Sequence, residues 1–534
     1  MSPEAFSGIP IEPAGVPRGR AMVQRAQWAS RAFATYDIAT VRRIVKAAAD
    51  AGAAHAREFA EAAVAETGFG VVEHKVRKNL GCSTGIWETY GNHDYVSPVL
   101  HEDRKLVEVP RPAGVVLALA PSTNPVATVF FKTLLALLTR NAIVISPHPF
   151  AKEVSVKAAE VMAEAAISAG APDGCIQVVA DPSVPLINAL MTNERVSVIL
   201  ATGGTPMVRA AYSSANPALG VGPGNVPVLV DDTADLATAA RLIVESKSFD
   251  NSILCTNESV AIVTESAADR FIQALGRSGA HVCSPDETDA VRALIFDGDH
   301  LNTAWIGKDA TVIAKAAGVR VPPSTKILVT PFELAVPEEM LAHEKLMPVL
   351  GLVQVPTVSR GIETARAVLR ITGEGHSAAI HSNDPQTVLA YSAAVRVLRV
   401  SVNVGNSLGG AGFETHLAPT MTIGTGYYGG SSLRENLTPE ALVQRTMVAW
   451  NAEQPAPVAA LTGVDPWLAP TGPVPAYPRA SNLPPELGST DLAGRVAAAL
   501  DISALAPTAD VSEDELREHI RRLVVEELHA MVRG

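Results

Sequence analysis

Between positions 37 and 66 apolar residues recur every three or four places, as at Val41, Ile44, Val45, Ala48 and Ala49, so the chain opens on amphipathic helices. The pattern then changes. Residues 114–120 are a short unbroken apolar run stopped by Pro121, which predicts a strand buried on both faces. Residues 125–138 return to helical spacing through Val126, Val129, Phe130, Leu134 and Leu137, and residues 141–146 form a second buried strand. The alternation continues with helices over 152–169 and 185–191 and strands over 175–179 and 196–200. Such βαβ succession predicts a parallel sheet with helices on both faces.

From 226 to 404 a second α/β stretch follows, with short strands at 260–263 and 326–329 between helical segments. Past Trp450 the character shifts again: residues 451–490 hold nine prolines, which sustain neither helix nor central strand and predict an extended linker. Two short helices are expected after it, the second opened by Ser512 and Glu515 in capping-box spacing and striped by Leu516, Ile520, Leu523, Val524, Leu528, Met531 and Val532. The expected organisation is therefore a lobe over 1–225 completed by 405–450, a second lobe over 226–404, a linker over 451–490 and an amphipathic helical tail over 491–534.

Composition narrows the function. The 534 residues carry a formal charge of −12 without a dense basic run, which disfavours nucleic acid. Cys82, Cys175, Cys255 and Cys283 are widely spaced, so neither a disulfide scaffold nor a metal site is expected, and a reducing cytoplasm fits. The first fifteen residues lack the pattern of a signal peptide, and no apolar run is long enough to predict a membrane span.

The informative segment is Ser248-Phe249-Asp250-Asn251-Ser252-Ile253-Leu254-Cys255-Thr256. A cysteine alone is usually a small buried hydrophobe. Together with Ala118-Leu119-Ala120-Pro121-Ser122-Thr123-Asn124-Pro125 and Ile145-Ser146-Pro147-His148-Pro149, however, this segment resembles the CoA-acylating branch of the aldehyde dehydrogenase superfamily over residues 38–450. The resemblance implies a two-lobed fold, with a Rossmann-like cofactor lobe and an α/β catalytic lobe, and a homo-oligomer. It makes Cys255 the nucleophile and Asn124 the oxyanion donor, chemistry that asks for a thiolate and for fixed N–H groups around the tetrahedral oxygen. Read locally, Asn124 is also a plain turn residue before a helix.

Cofactor contacts implied by the resemblance are the turn Thr202-Gly203-Gly204-Thr205 after a strand, Ser146 and Pro147 at the ribose, and Glu344 at the nicotinamide ribose. A simple glycine turn and a solvated helix-end charge are the bland alternatives for the first and the last. Hydrolytic relatives carry Lys-Pro-Ser-Glu where this chain has Ser146-Pro147-His148-Pro149, so NAD is expected with NADP left open. His376 resembles a family histidine and is left outside the catalytic set.

The subclass turns on Gly220-Val221-Gly222-Pro223. Hydrolytic relatives have Glu-Leu-Gly-Gly there, with a glutamate that activates water, and general-base help of this kind is worth roughly 10²–10⁴-fold. Its absence at Gly220 leaves the thioester to another thiol, which the resemblance implies is coenzyme A, with a short aldehyde as substrate. A glutamate at Gly220 is expected to raise formation of free acid. The rivals are a hydrolytic aldehyde dehydrogenase and a non-catalytic scaffold that keeps the fold. For the tail helix two occupants stay open, its own oligomer or a shell protein of a bacterial microcompartment.

Overall fold

Because the run at 115–120 has no polar position, a strand formed from it must be covered on both sides, and it is. In the computed structural model, which describes residue 13 and residues 15–455, 457–471 and 476–477, Val115–Ala120 is buried throughout at the centre of a five-stranded sheet. The order across that sheet is Ile176–Val178, Ala142–Pro147, Val115–Ala120, Val198–Ala201, Ala218–Gly220, and every pairing is parallel. The chain steps outward from Val115–Ala120 on one side, then crosses to its other side. The crevice beyond the carboxyl ends of Val115–Ala120 and Val198–Ala201 is thus a topological switch point, where open α/β sheets bind ligands.

The helix Pro125–Leu138 that leaves this central strand is apolar all round and wholly buried, with Pro125 in its first turn, where a missing N–H costs nothing. Its one charge, Lys132, is explained by where it points. The Nζ donates to Leu119 O at 2.8 Å and Leu200 O at 2.9 Å, the carbonyls at the ends of the two strands that flank the crevice.

A seven-stranded parallel sheet occupies 226–402, in the order Ala280–Val282, Ile327–Pro331, Val349–Val355, Glu258–Thr264, Val226–Val230, Ala378–His381, Val400–Val402. The strand Val443–Ala449 then returns to pair antiparallel along the whole of Leu106–Pro112. No described helix is long and apolar enough to cross a membrane.

The proline-rich stretch departs from the free spacer expected from 451 onward. Its first part lies on the body: Trp467 Nε1 donates to Val96 O at 2.8 Å, Leu468 N donates to Thr35 O at 3.3 Å, and Lys105 donates to the carbonyls of Ala452 and Gln454. The Trp467 ring covers the guanidinium of Arg140, 4.5 Å from ring centroid to Cζ, and Arg140 in turn donates to Ala34 O, Tyr36 O and Pro110 O. Apart from the short 3-10 helix Pro457–Leu461 the described part of the stretch has no regular structure, and it docks through an aromatic ring over a buried cation. The tail helices expected over 491–534 lie outside the described residues.

Trp467→Ala is expected to cost about 2 kcal/mol through the lost ring and cation contact. Urea unfolding checks it, and an unchanged midpoint would show that the stretch contributes nothing to the body.

Candidate active site

Cys255 stands in the turn between the helical turn Phe249–Ser252 and the strand Glu258–Thr264. Just before it Asp250, Asn251 and Ser252 take φ of 51°, 52° and 65°. Each such non-glycine residue costs of order 1–3 kcal/mol. Three in succession need holding from outside the loop, and side chains provide it. Asp250 Oδ1 accepts from Val71 N at 2.7 Å, and Oδ2 receives Lys75 Nζ at 3.2 Å and also Lys78 Nζ. Asn251 Nδ2 donates to Gly307 O and to Asp309 Oδ1. Ser252 Oγ and the buried Lys247 Nζ both donate to Asn257 Oδ1, at 2.5 and 2.8 Å.

Asn124 is the residue before the helix Pro125–Leu138, and its side chain does not cap that helix. Its Oδ1 receives Lys78 Nζ and its Nδ2 donates to Thr123 Oγ1 at 3.2 Å. One amide hydrogen is left over.

Asn124, Thr202, Gly203, Gly204, Thr205, Cys255 and Glu344 line one cavity of about 280 Å³ at the switch point. Ser146 and Pro147 do not reach its wall. They end the neighbouring strand, opposite Leu119 and Ala120, and Ser146 Oγ is buried there without a partner. The helix Thr205–Tyr212 has no side-chain cap, and a Cβ added at Gly203 or Gly204 would come no nearer than 3.9 or 3.7 Å to other atoms. Pro206 carries no N–H and the N–H groups of Met207 and Val208 already donate to Gly204 O, so what the turn offers a dinucleotide is room for close backbone approach over Gly203 and Gly204.

Gly224 brings the 220–224 segment against the nucleophile. A Cβ there would stand 2.1 Å from Cys255 O, and its N–H is bonded to the Glu344 carboxyl. The departure from the hydrolytic pattern is real, but the position facing the cavity is not Gly220. Val221, Gly222 and Pro223 line it, whereas a Cβ on Gly220 would meet Val208 Cγ1 at 2.6 Å and Tyr212 Cε2 at 2.7 Å. A glutamate expected to work from Gly220 has no room; Val221 is the place for one.

Electrostatically Cys255 is held as a thiol. Burial, and after it Glu344, pushes Cys255 up to about 12 against a backbone hydrogen bond and the pull of Arg399. Burial also raises Glu344 to about 8 despite Lys247 and Lys345. Burial, with Arg399 second, holds His376 down at about 3, so its imidazole is neutral, with Nδ1 on Ser377 Oγ at 2.9 Å and Nε2 buried without a partner.

Sequence reasoning missed Lys78, Lys132 and Arg399. Lys132 had a visible signal, one charge inside a fourteen-residue apolar helix. Lys78 had none, since Lys75 and Lys78 read as an ordinary solvated face on a short helix. Away from the cavity, donor atoms of His281, Cys283 and Glu287 lie within 4.8 Å of one another. Glu287 is already engaged there by a capping box with Ser284 at a helix N-terminus, whose dipole opposes a cation.

Alkylation of Cys255 by iodoacetamide reads the thiol directly. Thiolate is the reactive form, so a raised pKa means a rate that climbs about tenfold per pH unit from 7 to 10 without levelling. Glu344→Gln removes a negative neighbour and shifts that profile to lower pH, chiefly above pH 8, where Glu344 is ionised. Peptide mass spectrometry after timed quenching measures both, and a plateau near pH 8 in the native protein would contradict the first.

The sequence profile of the Aldehyde dehydrogenase family matches residues 13–413. The chain is 39% identical over 440 residues to the bifunctional aldehyde-alcohol dehydrogenase AdhE of Escherichia coli K12, covering 81% of this chain and 49% of that one, so it spans about half the length of this curated relative. An acetylating aldehyde dehydrogenase from Geobacillus thermoglucosidasius superposes with a TM-score of 0.81 at 36% identity, over 82% of this chain and 98% of that one. A Rhodopseudomonas palustris propionaldehyde dehydrogenase, solved with bound CoA and an acylated cysteine, superposes with a TM-score of 0.73 at 27% identity, over 81% and 97%. With its profile matched over most of its length and its site built at the switch point of a parallel sheet, the chain belongs to the aldehyde dehydrogenase family.

Proposed function

We propose that the chain oxidises a short aldehyde to its acyl-CoA, with reduction of NAD or NADP, through a thioester on Cys255. One observation carries the reading. Cys255, Asn124 and the open turn Thr202–Thr205 line a single cavity whose 221–223 wall offers no side-chain carboxylate.

The Cys255 thiol gives its proton to solvent as Sγ bonds to the aldehyde carbon, and the carbonyl oxygen becomes an oxyanion. The free Asn124 amide hydrogen and the Cys255 N–H are the donors for that oxygen. A nicotinamide cofactor held along the 202–205 turn, with Glu344 at its ribose, would supply the hydride acceptor. Loss of hydride leaves a Cys255 thioester. A CoA thiol then takes the acyl group, and the proton it releases restores the Cys255 thiol. The related structure with bound CoA and an acylated cysteine supports this second half.

The wall also speaks to the aldehyde. Among the described residues lining the cavity, Ile253, Leu254, Leu346, Met421 and Ile423 are apolar and none is Lys or Arg. A carboxylate or sulfonate on the aldehyde would enter without a counter-ion, at a cost of several kcal/mol. The substrate class is a small uncharged aldehyde.

NADH or NADPH formation from a panel of short aldehydes is expected to need CoA for more than one turnover. Cys255→Ala is expected to abolish it while cofactor binding, followed by fluorescence, stays near wild type. Rapid oxidation to free acid by the native protein without any thiol would refute the acylating reading. In a separate test, Val221→Glu is expected to raise CoA-independent acid release, assayed by chromatography, whereas Gly220→Glu is expected to yield unstable protein.

A further inference from the structure

Two pieces of the site come from different sheets. Asn124 follows the central strand of the five-stranded sheet, and the Cys255 loop leads into a strand of the seven-stranded one. What joins them is a side chain on neither. Lys78, on the helix Val72–Leu80, is 3% exposed, and its Nζ reaches both Asn124 Oδ1 and Asp250 Oδ2. Asp250 is itself fully buried and shared with Lys75, whose Nζ also lies 3.5 Å from Thr123 O. Burial alone would raise the Asp250 carboxyl, but Lys78 and then Lys75 outweigh it and keep it below the ordinary range.

An ammonium can only donate. The carbonyl end of the Asn124 amide must therefore face Lys78, and the amide nitrogen must face away from it, so the lysine fixes which end of a near-symmetric group serves as donor. A cation on the carbonyl oxygen also draws electron density from the amide nitrogen and strengthens its N–H as a donor. Its second contact, on Asp250, holds the left-handed segment that presents Cys255.

We propose that Lys78 is a positioning residue for the acylation step, orienting and polarising the Asn124 amide toward the oxyanion while locking that amide to the nucleophile's loop. The proposal rests on Asn124 being the oxyanion donor, and the experiment separates the two claims. Removing Lys78 leaves Asp250 still paired with Lys75 and with the Val71 N–H, so the local fold retains two of its anchors.

Lys78→Met, Asn124→Ala and the double variant are compared in full-length protein with a short aldehyde, CoA and NAD. Asn124→Ala is expected to lower kcat by about 10²–10³-fold. Lys78→Met is expected to lower kcat by about 10–100-fold, with KM for aldehyde and CoA and the cofactor Kd within about twofold of wild type. In the Asn124→Ala background the same change is expected to cost less than about threefold, because a lysine that acts through the amide has nothing left to act on. Lys78→Gln, which keeps a donor but no charge, is expected to fall between Lys78→Met and wild type, and it replaces Lys78→Met in the cycle if the methionine variant does not fold. Wild-type kcat in the Lys78 variant, or an undiminished effect without Asn124, would overturn the positioning role. A wild-type kcat in Asn124→Ala would instead overturn the oxyanion reading beneath it.

Discussion

A carboxylate shared by two buried ammonium groups governs the geometry of this site. Three consecutive non-glycine residues in left-handed conformation cost, at about 1–3 kcal/mol each, an appreciable part of a typical domain's net stability. Such a segment persists only when its surroundings over-determine it. Asp250 is the fixed point: two lysines and a backbone N–H grip its carboxylate, and its own N–H donates to His74 Nδ1, whose ring stacks on Phe249 at 4.7 Å. A net positive cluster of two cations and one anion is costly to bury unless the excess charge finds another acceptor. The Asn124 carbonyl is such an acceptor, which ties a stability requirement to the placement of the amide proposed as the oxyanion donor.

The same economy recurs beneath the cavity. Lys132 is buried without a carboxylate, held by the two strand-end carbonyls at the crevice, and burial brings it down to about 7. A group this close to neutrality can lie under an apolar site without imposing a full charge on it. Lys247 and Lys345 flank Glu344 in a similar way, both lowered by burial and both bonded to neutral oxygens, Lys247 to Asn257 Oδ1 and Lys345 to the Leu341 and His343 carbonyls. Each of these lysines is anchored to neutral oxygens beside the cavity, which is compatible with the uncharged aldehyde proposed as substrate.

Much of the fold was legible because its elements are apolar in runs whose lengths separate strand from helix. The strand at 115–120 and the helix at 125–138 appear at the expected residues, since nothing in tertiary context competes with so strong a pattern. The motifs single out Cys255, Asn124 and the 202–205 turn, and the structure brings them to the wall of one cavity. What the sequence hid was contact. Lys78 lies 46 residues from Asn124 and 172 from Asp250, and no local pattern marks it as buried. The choice of Gly220 failed for the same reason: spacing located the segment, but only packing against Val208 and Tyr212 shows which of its residues has room for a side chain. Docking of Trp467 over Arg140 was hidden likewise, because prolines forecast the absence of helix and say nothing of what an extended chain lies on.

On the proposed reading, partition of a Cys255 thioester between water and a second thiol depends on which groups could take a proton from water. Two positions on the cavity could hold a carboxylate for that purpose. At one, Val221, the side chain is apolar and 6% exposed. At the other, burial raises Glu344 to about 8, and its carboxyl already accepts the Gly224 N–H. A thiol, intrinsically the stronger nucleophile, needs less help from a base than water does, and on the proposed reading that favours transfer of the acyl group to CoA. Desolvation raises both Cys255 and Glu344, so on the proposed reading one physical cause bears on the resting state of the thiol and on the acid beside it.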